Sequence, residues 1–238
     1  LIIYIKLSLI KFYLMKKIIA IGGGGFTNQT DRDLDQFVIN QCNKKKIKIG
    51  FLPTASKDDP KKIALFYKRF SKNNFKLSHF SISDPKASFG KWALNNHVIY
   101  VGGGNTAFLI DYLKKNNLIK DLKKAYTQGV ILSGVSAGAS CWFDWALSDS
   151  FGKGLKPLKG IGFIKGSISP HASIKRRMLE FKKQIFKKKL PPGISIDDGV
   201  AVLFVDGIPI DLYCSRKNHT AYLVDNNKKI DLKNYIKK

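Results

Sequence analysis

Apolar residues along this chain follow two rhythms. Short apolar runs with the length of a buried strand recur at residues 17–21, 47–52, 77–82, 97–101 and 130–132. Between them apolar residues return at helical spacing. Thr30 with Asp33 forms a capping pattern ahead of Leu34, Phe37, Val38 and Cys42. Residues 61–70 predict a helix with Ile63, Phe66, Tyr67 and Phe70 inward, and a further helix follows Gly102-Gly103-Gly104-Asn105-Thr106 and runs through Leu113. His79 falls inside a strand, where a partly buried, hydrogen-bonded histidine is expected. This alternation implies a mostly parallel, doubly wound α/β sheet with helices on both faces, and ligands gather at the carboxyl ends of such strands.

The second half is less regular. Residues 148–152 read as a loop, 166–171 as a strand-like stretch ending in Pro170-His171, and 174–189 as a basic helix stopped by Pro191-Pro192-Gly193. Short strands are predicted at 194–196, 200–205, 208–212 and 221–224, with Asp206-Gly207 as a hairpin turn. No internal repeat or linker divides the chain, so residues 15–238 are expected to form a single domain. The leader 1–14 is apolar but broken by Lys6 and Lys11, too short to span a bilayer, and without a small-residue cleavage site. Met15-Lys16-Lys17 leads straight into a strand. The expectation is therefore translation from Met15 and a non-native extension before it, with a short membrane-surface anchor as the alternative.

Composition changes this picture little. With 238 residues and 44% hydrophobic content, the chain can bury a sizeable core. The net charge of +25 comes mainly from lysine, since the arginines are only Arg32, Arg69, Arg176, Arg177 and Arg216. Ile, Asn, Phe and Tyr are abundant as well, and all share A/T-rich codons, so the charge reads as genome composition. No arginine-rich or aromatic-interleaved stripe supports a nucleic-acid partner. Cys42, Cys141 and Cys214 are scattered and odd in number, which argues for a reducing compartment, the cytoplasm, and against a disulfide framework. His79, His97, His171 and His219 lack metal-ligand spacing, so neither a metal nor a cofactor is expected.

Three glycine-rich loops end predicted strands: Gly22-Gly23-Gly24-Gly25, Gly102-Gly103-Gly104 and Gly134-Val135-Ser136-Ala137-Gly138. The first nearly matches a dinucleotide loop, but Thr27 replaces its last glycine. The third is a Gly-x-Ser-x-Gly turn between strand and helix, which would expose the Ser136 hydroxyl as a nucleophile; alternatively Ser136 only caps the helix. A nucleophile needs a base and an orienting carboxylate. His171 leads for the base, although it could simply cap the basic helix. Asp197 and Asp198 compete with Asp149 for the carboxylate, and each could be a turn residue.

These motifs resemble peptidase family S51, which includes aspartyl dipeptidase (peptidase E) and cyanophycinase. The resemblance rests on Gly134-Val135-Ser136-Ala137-Gly138-Ala139, Gly102-Gly103-Gly104-Asn105, Pro170-His171 and Ile196-Asp197-Asp198, and covers residues 16 to about 224. With Cys141-Trp142-Phe143 and Ser148-Asp149-Ser150-Phe151 it looks like the less studied branch of the family, not peptidase E itself. It implies a flavodoxin-like three-layer fold similar to class I glutamine amidotransferases. It also implies Ser136 as nucleophile, His171 as base and Asp198 where relatives usually carry glutamate. Backbone N–H groups of Ala137 and of Gly103 or Gly104 would bind the oxyanion, and Asn105 matches a substrate-touching position. The implied activity is serine-type hydrolysis of short peptides, with an acidic residue beside the scissile bond as the finer expectation. Lys175, Arg176 and Arg177 could pair with a substrate carboxylate or form a solvated helix face. A homodimer stays open. The competing functions are an esterase using Ser136, Asp198 and His219 in α/β-hydrolase order, and an inactive amidotransferase-like or nucleic-acid-binding protein.

Overall fold

The strand Lys17–Ile21 (β1) has no polar residue after its lysine, and its side chains divide between two apolar layers. Ile18 and Ala20 enter one buried cluster while Ile19 and Ile21 enter another, the pattern of a strand covered on both faces. A computed structural model of the chain describes residues 15–71 and 74–236. The expected leader 1–14 lies outside the described residues. From β1 the chain passes through α1 (Asp33–Asn40), β2 (Lys48–Leu52), α2 (Pro60–Phe70), β3 (Lys76–His79), α3 (Phe89–Asn95) and β4 (Val98–Val101). It continues with α4 (Thr106–Lys115), α5 (Ile119–Thr127), β5 (Ile131–Val135) and the short α6 (Ala137–Ser140). The second half supplies β6 (Phe143–Ser148), β7 (Lys156–Lys159), β8 (Ile164–Pro170), α7 (Lys175–Phe186), β9 (Gly193–Ile196), β10 (Val200–Val205), β11 (Ile208–Cys214), β12 (Ala221–Val224), β13 (Lys229–Asp231) and α8 (Leu232–Ile236).

A seven-stranded sheet runs in the order β11-β10-β1-β5-β4-β2-β3. Its strands from β1 to β3 are parallel, and β10 and β11 extend it antiparallel. Helices α1 and α2 cover one face through Leu34, Val38, Phe66 and Phe70. The other face meets α3, α4 and α5 through Phe89, Leu109, Leu113 and Leu122. This is the three-layer α/β architecture the alternating pattern implies. A second, six-stranded sheet runs β13-β12-β9-β8-β6-β7, with β9, β8 and β6 parallel. Its Ile168 and Ile196 join the first sheet's core, and α7 packs on it through Phe181 and Ile185. The tail strands thus divide between two sheets, a separation their short apolar runs do not reveal.

Several boundaries differ from expectation. Thr30 does not cap α1, whose N-cap is Arg32 without any side-chain bond. Asp33 instead accepts from the Tyr213 and Ser215 hydroxyls at 3.0 and 2.6 Å, tying α1 to the end of β11. β3 stops at His79, because Ser81 to Asp84 closes a turn through Ser81 N–H to the Asp84 carboxylate at 2.7 Å. The His79 ring pairs with the Tyr67 hydroxyl at 2.8 Å. Residues 143–148 and 156–159, outside the expected strands, pair as β6 and β7.

Under the loop that leaves β1, Asp35 is fully buried. It accepts from Arg69 Nε at 2.9 Å and from the Phe26 N–H at 3.3 Å. Burial pushes its carboxyl up to about 6 against the pull of Arg69. The folded protein therefore holds this proton more tightly than the unfolded chain does, where the ordinary value is 3.8. Its contribution to stability is fully present below that value and is lost as pH rises through about 6. In denaturant titrations, the stability of the wild type relative to Asp35→Asn should fall between pH 4 and pH 6 and level off above. A difference that grows with pH over that interval would contradict this account.

Candidate active site

β5 lies between β1 and β4, so the loops leaving these three parallel strands emerge side by side. Ser136 follows β5 at φ 55° and ψ −107°, left-handed backbone that a side chain rarely adopts. The strain is held by contacts from every side. Ser136 N–H donates to Ile21 O at 2.9 Å. A Cβ on Gly134 would stand 2.2 Å from Gly138 O, and one on Gly138 would stand 2.1 Å from Val101 O. Strand, helix and neighbouring strand therefore touch backbone to backbone. Ser136 occupies the N-cap position of α6 but makes no capping bond. Its Oγ lies 2.8 Å from His171 Nε2 instead.

The second sheet delivers the partners. β8 and β9 are parallel with Pro170 opposite Ile196, so His171 and Asp198 leave adjacent strand ends. His171 is also left-handed at φ 55°, and Ala172 N–H donates to Ile196 O at 3.0 Å just beyond it. His171 Nδ1 lies 2.5 Å from Asp198 Oδ1, and the Ser173 hydroxyl donates to Asp198 Oδ2 at 3.0 Å. The His171 hydrogen bond, reinforced by Ser173 and the charge of Arg216, holds the Asp198 carboxyl below its ordinary range despite partial burial. Serine, imidazole and carboxylate in this sequence can carry out nucleophilic acyl transfer.

The first glycine loop closes the back of this pair. A Cβ on Gly23 would lie 1.9 Å from Asp198 Oδ1 and 2.8 Å from His171 Nδ1. Gly23 O accepts from Gly199 N–H at 2.8 Å, and Gly22 N–H donates to Val200 O at 3.0 Å. The run that nearly matched a dinucleotide loop is thus filled by the protein's own side chains. Sequence reasoning missed Gly23; its place in a glycine run at a strand end was the available signal.

The remaining expected residues separate. Asp197 is buried and accepts from Thr220 N–H at 3.1 Å, away from the imidazole. Asp149, the other rival for the carboxylate, pairs with Arg177 Nη1 at 2.9 Å. That pairing also corrects the expectation for Arg177: its guanidinium is buried and committed to Asp149 and to Leu147 O at 3.3 Å. Arg176 is exposed on α7. His219 Nδ1 meets the backbone oxygen of Asp198 at 2.8 Å, so the ring placed on Ser136 is that of His171. Asn105 caps α4 by accepting from Phe108 N–H at 2.9 Å, and its amide donates to Ser150 O at 3.3 Å. Gly103 lies beside the Ser136 turn, since a Cβ there would be 3.5 Å from Ser136 Cβ. Ala137 opens α6, where an N–H has no intrahelical partner. Among the described residues no group of three or more His, Cys, Asp or Glu is placed to hold a metal ion.

Replacing Gly23 with alanine should displace the Asp198 carboxylate from His171 and spare the fold, because the obstructing atoms are side-chain tips. The low-field proton resonance of the Nδ1–carboxylate bond should vanish. Modification of Ser136 by a fluorophosphonate should slow by roughly 10²–10⁴-fold, the range for a misoriented imidazole. An unchanged resonance and rate would remove Gly23 from the site.

Comparisons with known proteins bear on the family and the fold. Residues 18–209 match peptidase family S51. An uncharacterised peptidase, YgaJ of Bacillus subtilis (strain 168), is 40% identical over 213 residues, covering 88% of this chain and 92% of its own. The crystal structure of a peptidase from an acI-B1 actinobacterium superposes with a TM-score of 0.68 at 15% identity, covering 92% of this chain and 94% of that one. A putative peptidase E protein from Listeria monocytogenes EGD-e superposes at 0.56 with 17% identity, covering 91% and 98%. The two solved structures share the fold, and the matches over most of the chain place this protein in peptidase family S51.

Proposed function

We propose that this S51 peptidase is of serine type and hydrolyses short peptides through an acyl-enzyme. The observation that carries the reading is the unbroken chain from Ser136 Oγ through His171 to Asp198, at 2.8 and 2.5 Å. Ser136 Oγ attacks the scissile carbonyl carbon while its proton passes to His171 Nε2, and the carbonyl electron pair moves onto oxygen. The oxyanion accepts hydrogen bonds from the N–H groups of Ala137 and of Gly103 or Gly104. His171 then protonates the leaving amine, and water repeats the sequence to release the acid. Asp198 keeps the imidazole in the tautomer that presents a bare Nε2 to the serine. The finer specificity, an acidic residue beside the scissile bond, draws support from exposed Arg176 on the helix after His171. Three free cysteines suit a reducing compartment such as the cytoplasm.

A panel of Asp-X, β-Asp, Glu-X and neutral dipeptides tests both levels. Wild type should cleave members of the panel, the acidic ones fastest, and Ser136→Ala and His171→Ala should each lose about 10³-fold or more in turnover. Fluorophosphonate should label wild type and not Ser136→Ala. Equal labelling of the two proteins would sink the assignment of the nucleophile, and preferential cleavage of neutral dipeptides would sink the acidic preference alone.

A further inference from the structure

The segment from Gly102 to Asn105 is fastened at three points. Gly102 N–H donates to Leu52 O at 3.0 Å and Asn105 N–H to Ala55 O at 2.7 Å, which fixes its ends. In the middle, Lys62 Nζ on α2 donates to Gly103 O at 3.0 Å. Among the described residues no acceptor takes the N–H of Gly103 or of Gly104. Gly103 is buried against the nucleophile turn, with a Cβ position 3.4 Å from Val135 O and 3.5 Å from Ser136 Cβ. Gly104 has φ +152°, and a Cβ there would lie 2.1 Å from Ala55 O, so only glycine fits the segment as it is fastened.

Gly103 C=O and Gly104 N–H belong to one planar trans peptide, and they point in opposite directions. An ammonium on the oxygen therefore sets the direction of the N–H on the far side. It also draws electron density from the amide, which makes that N–H a stronger donor.

We propose that Lys62 is a positioning residue that holds and polarises the Gly103–Gly104 peptide, so that Gly104 N–H donates to the oxyanion formed at Ser136. The proposal rests on the serine mechanism above. Lys62 touches no reacting atom; it acts through the peptide. The oxyanion gathers charge only as the Ser136 Oγ–carbon bond forms and the carbonyl π pair shifts to oxygen, so the effect belongs to turnover and leaves substrate affinity alone.

Lys62→Met keeps the length of the side chain and removes its donors, and Lys62→Arg keeps charge and donors. For Lys62→Met, kcat should fall by about 10- to 100-fold with KM within about twofold, a smaller loss than the 10²–10³ of deleting an oxyanion donor. Lys62→Arg should recover most of the turnover. In an NMR spectrum the Gly104 amide proton should shift in the methionine variant and return in the arginine one. A raised KM with unchanged kcat would overturn the proposal and make Lys62 a contact for substrate charge. A lowered melting temperature with unchanged kcat would overturn it and leave a strut between α2 and the loop. If wild type neither cleaves peptides nor is labelled at Ser136, the serine reading falls. The Gly104 resonance then still decides whether Lys62 sets this peptide, and an unmoved resonance refutes it.

Discussion

Backbone touching backbone is the constraint that the candidate site depends on. Gly134 and Gly138 leave no room for a side chain between β5, α6 and β4. Gly22 does the same against Asp197 O, where a Cβ would stand 2.2 Å away. Closeness of this kind turns Ser136 into the left-handed region and keeps it there. Residues in such conformations persist when the surroundings over-determine them. Here the hydrogen bond from Ser136 N–H to Ile21 O and the packing of α6 do so. A larger residue at any of these glycines would force backbone away from backbone.

The second consequence is that the site is built from two sheets. The seven-stranded sheet presents the serine and the glycine loops, and the six-stranded sheet presents His171 and Asp198. Each sheet contributes the carboxyl ends of parallel strands, where side chains leave the hydrogen-bonded ladder and become free to point at a ligand. The join is made by the shared apolar cluster around Ile168, Ile196 and Trp142 and by the bonds from Gly22 and Gly23 to the turn at Gly199. The distance from Ser136 to His171 is therefore set by how the sheets pack, and at Gly22 and Gly23 a Cβ would strike Asp197 and Asp198 across that seam.

Two carboxylates near the first glycine loop have moved in opposite directions for opposite reasons. Asp35, buried below it, is raised by loss of water even with Arg69 beside it. Asp198, above it, is lowered because His171 and Ser173 supply hydrogen bonds that outweigh partial burial. The carboxylate proposed to orient the imidazole thus stays ionised at neutral pH, while Asp35 serves to fasten the loop through Phe26 N–H.

Local pattern by itself determined the parallel sheet, most of its helices and the strand-end positions of the three glycine loops, because strand and helix periods are written in nearest neighbours. Ser136, His171 and Asp198 could be singled out by residue type and by resemblance. Which aspartate faces His171 was not legible in the local pattern, since Asp197, Asp198 and Asp149 all sit in turn-like sequence, and only the resemblance favoured Asp198. Only the parallel register of β8 on β9 brings Asp198 to the ring, while burial turns Asp197 to Thr220 and Arg177 takes Asp149. The second sheet, the fit of Gly23 against the His171–Asp198 pair and the reach of Lys62 to Gly103 were likewise decided by tertiary structure. Each depends on contacts between segments far apart in the chain, and neither periodicity nor a short motif encodes a distance of that kind.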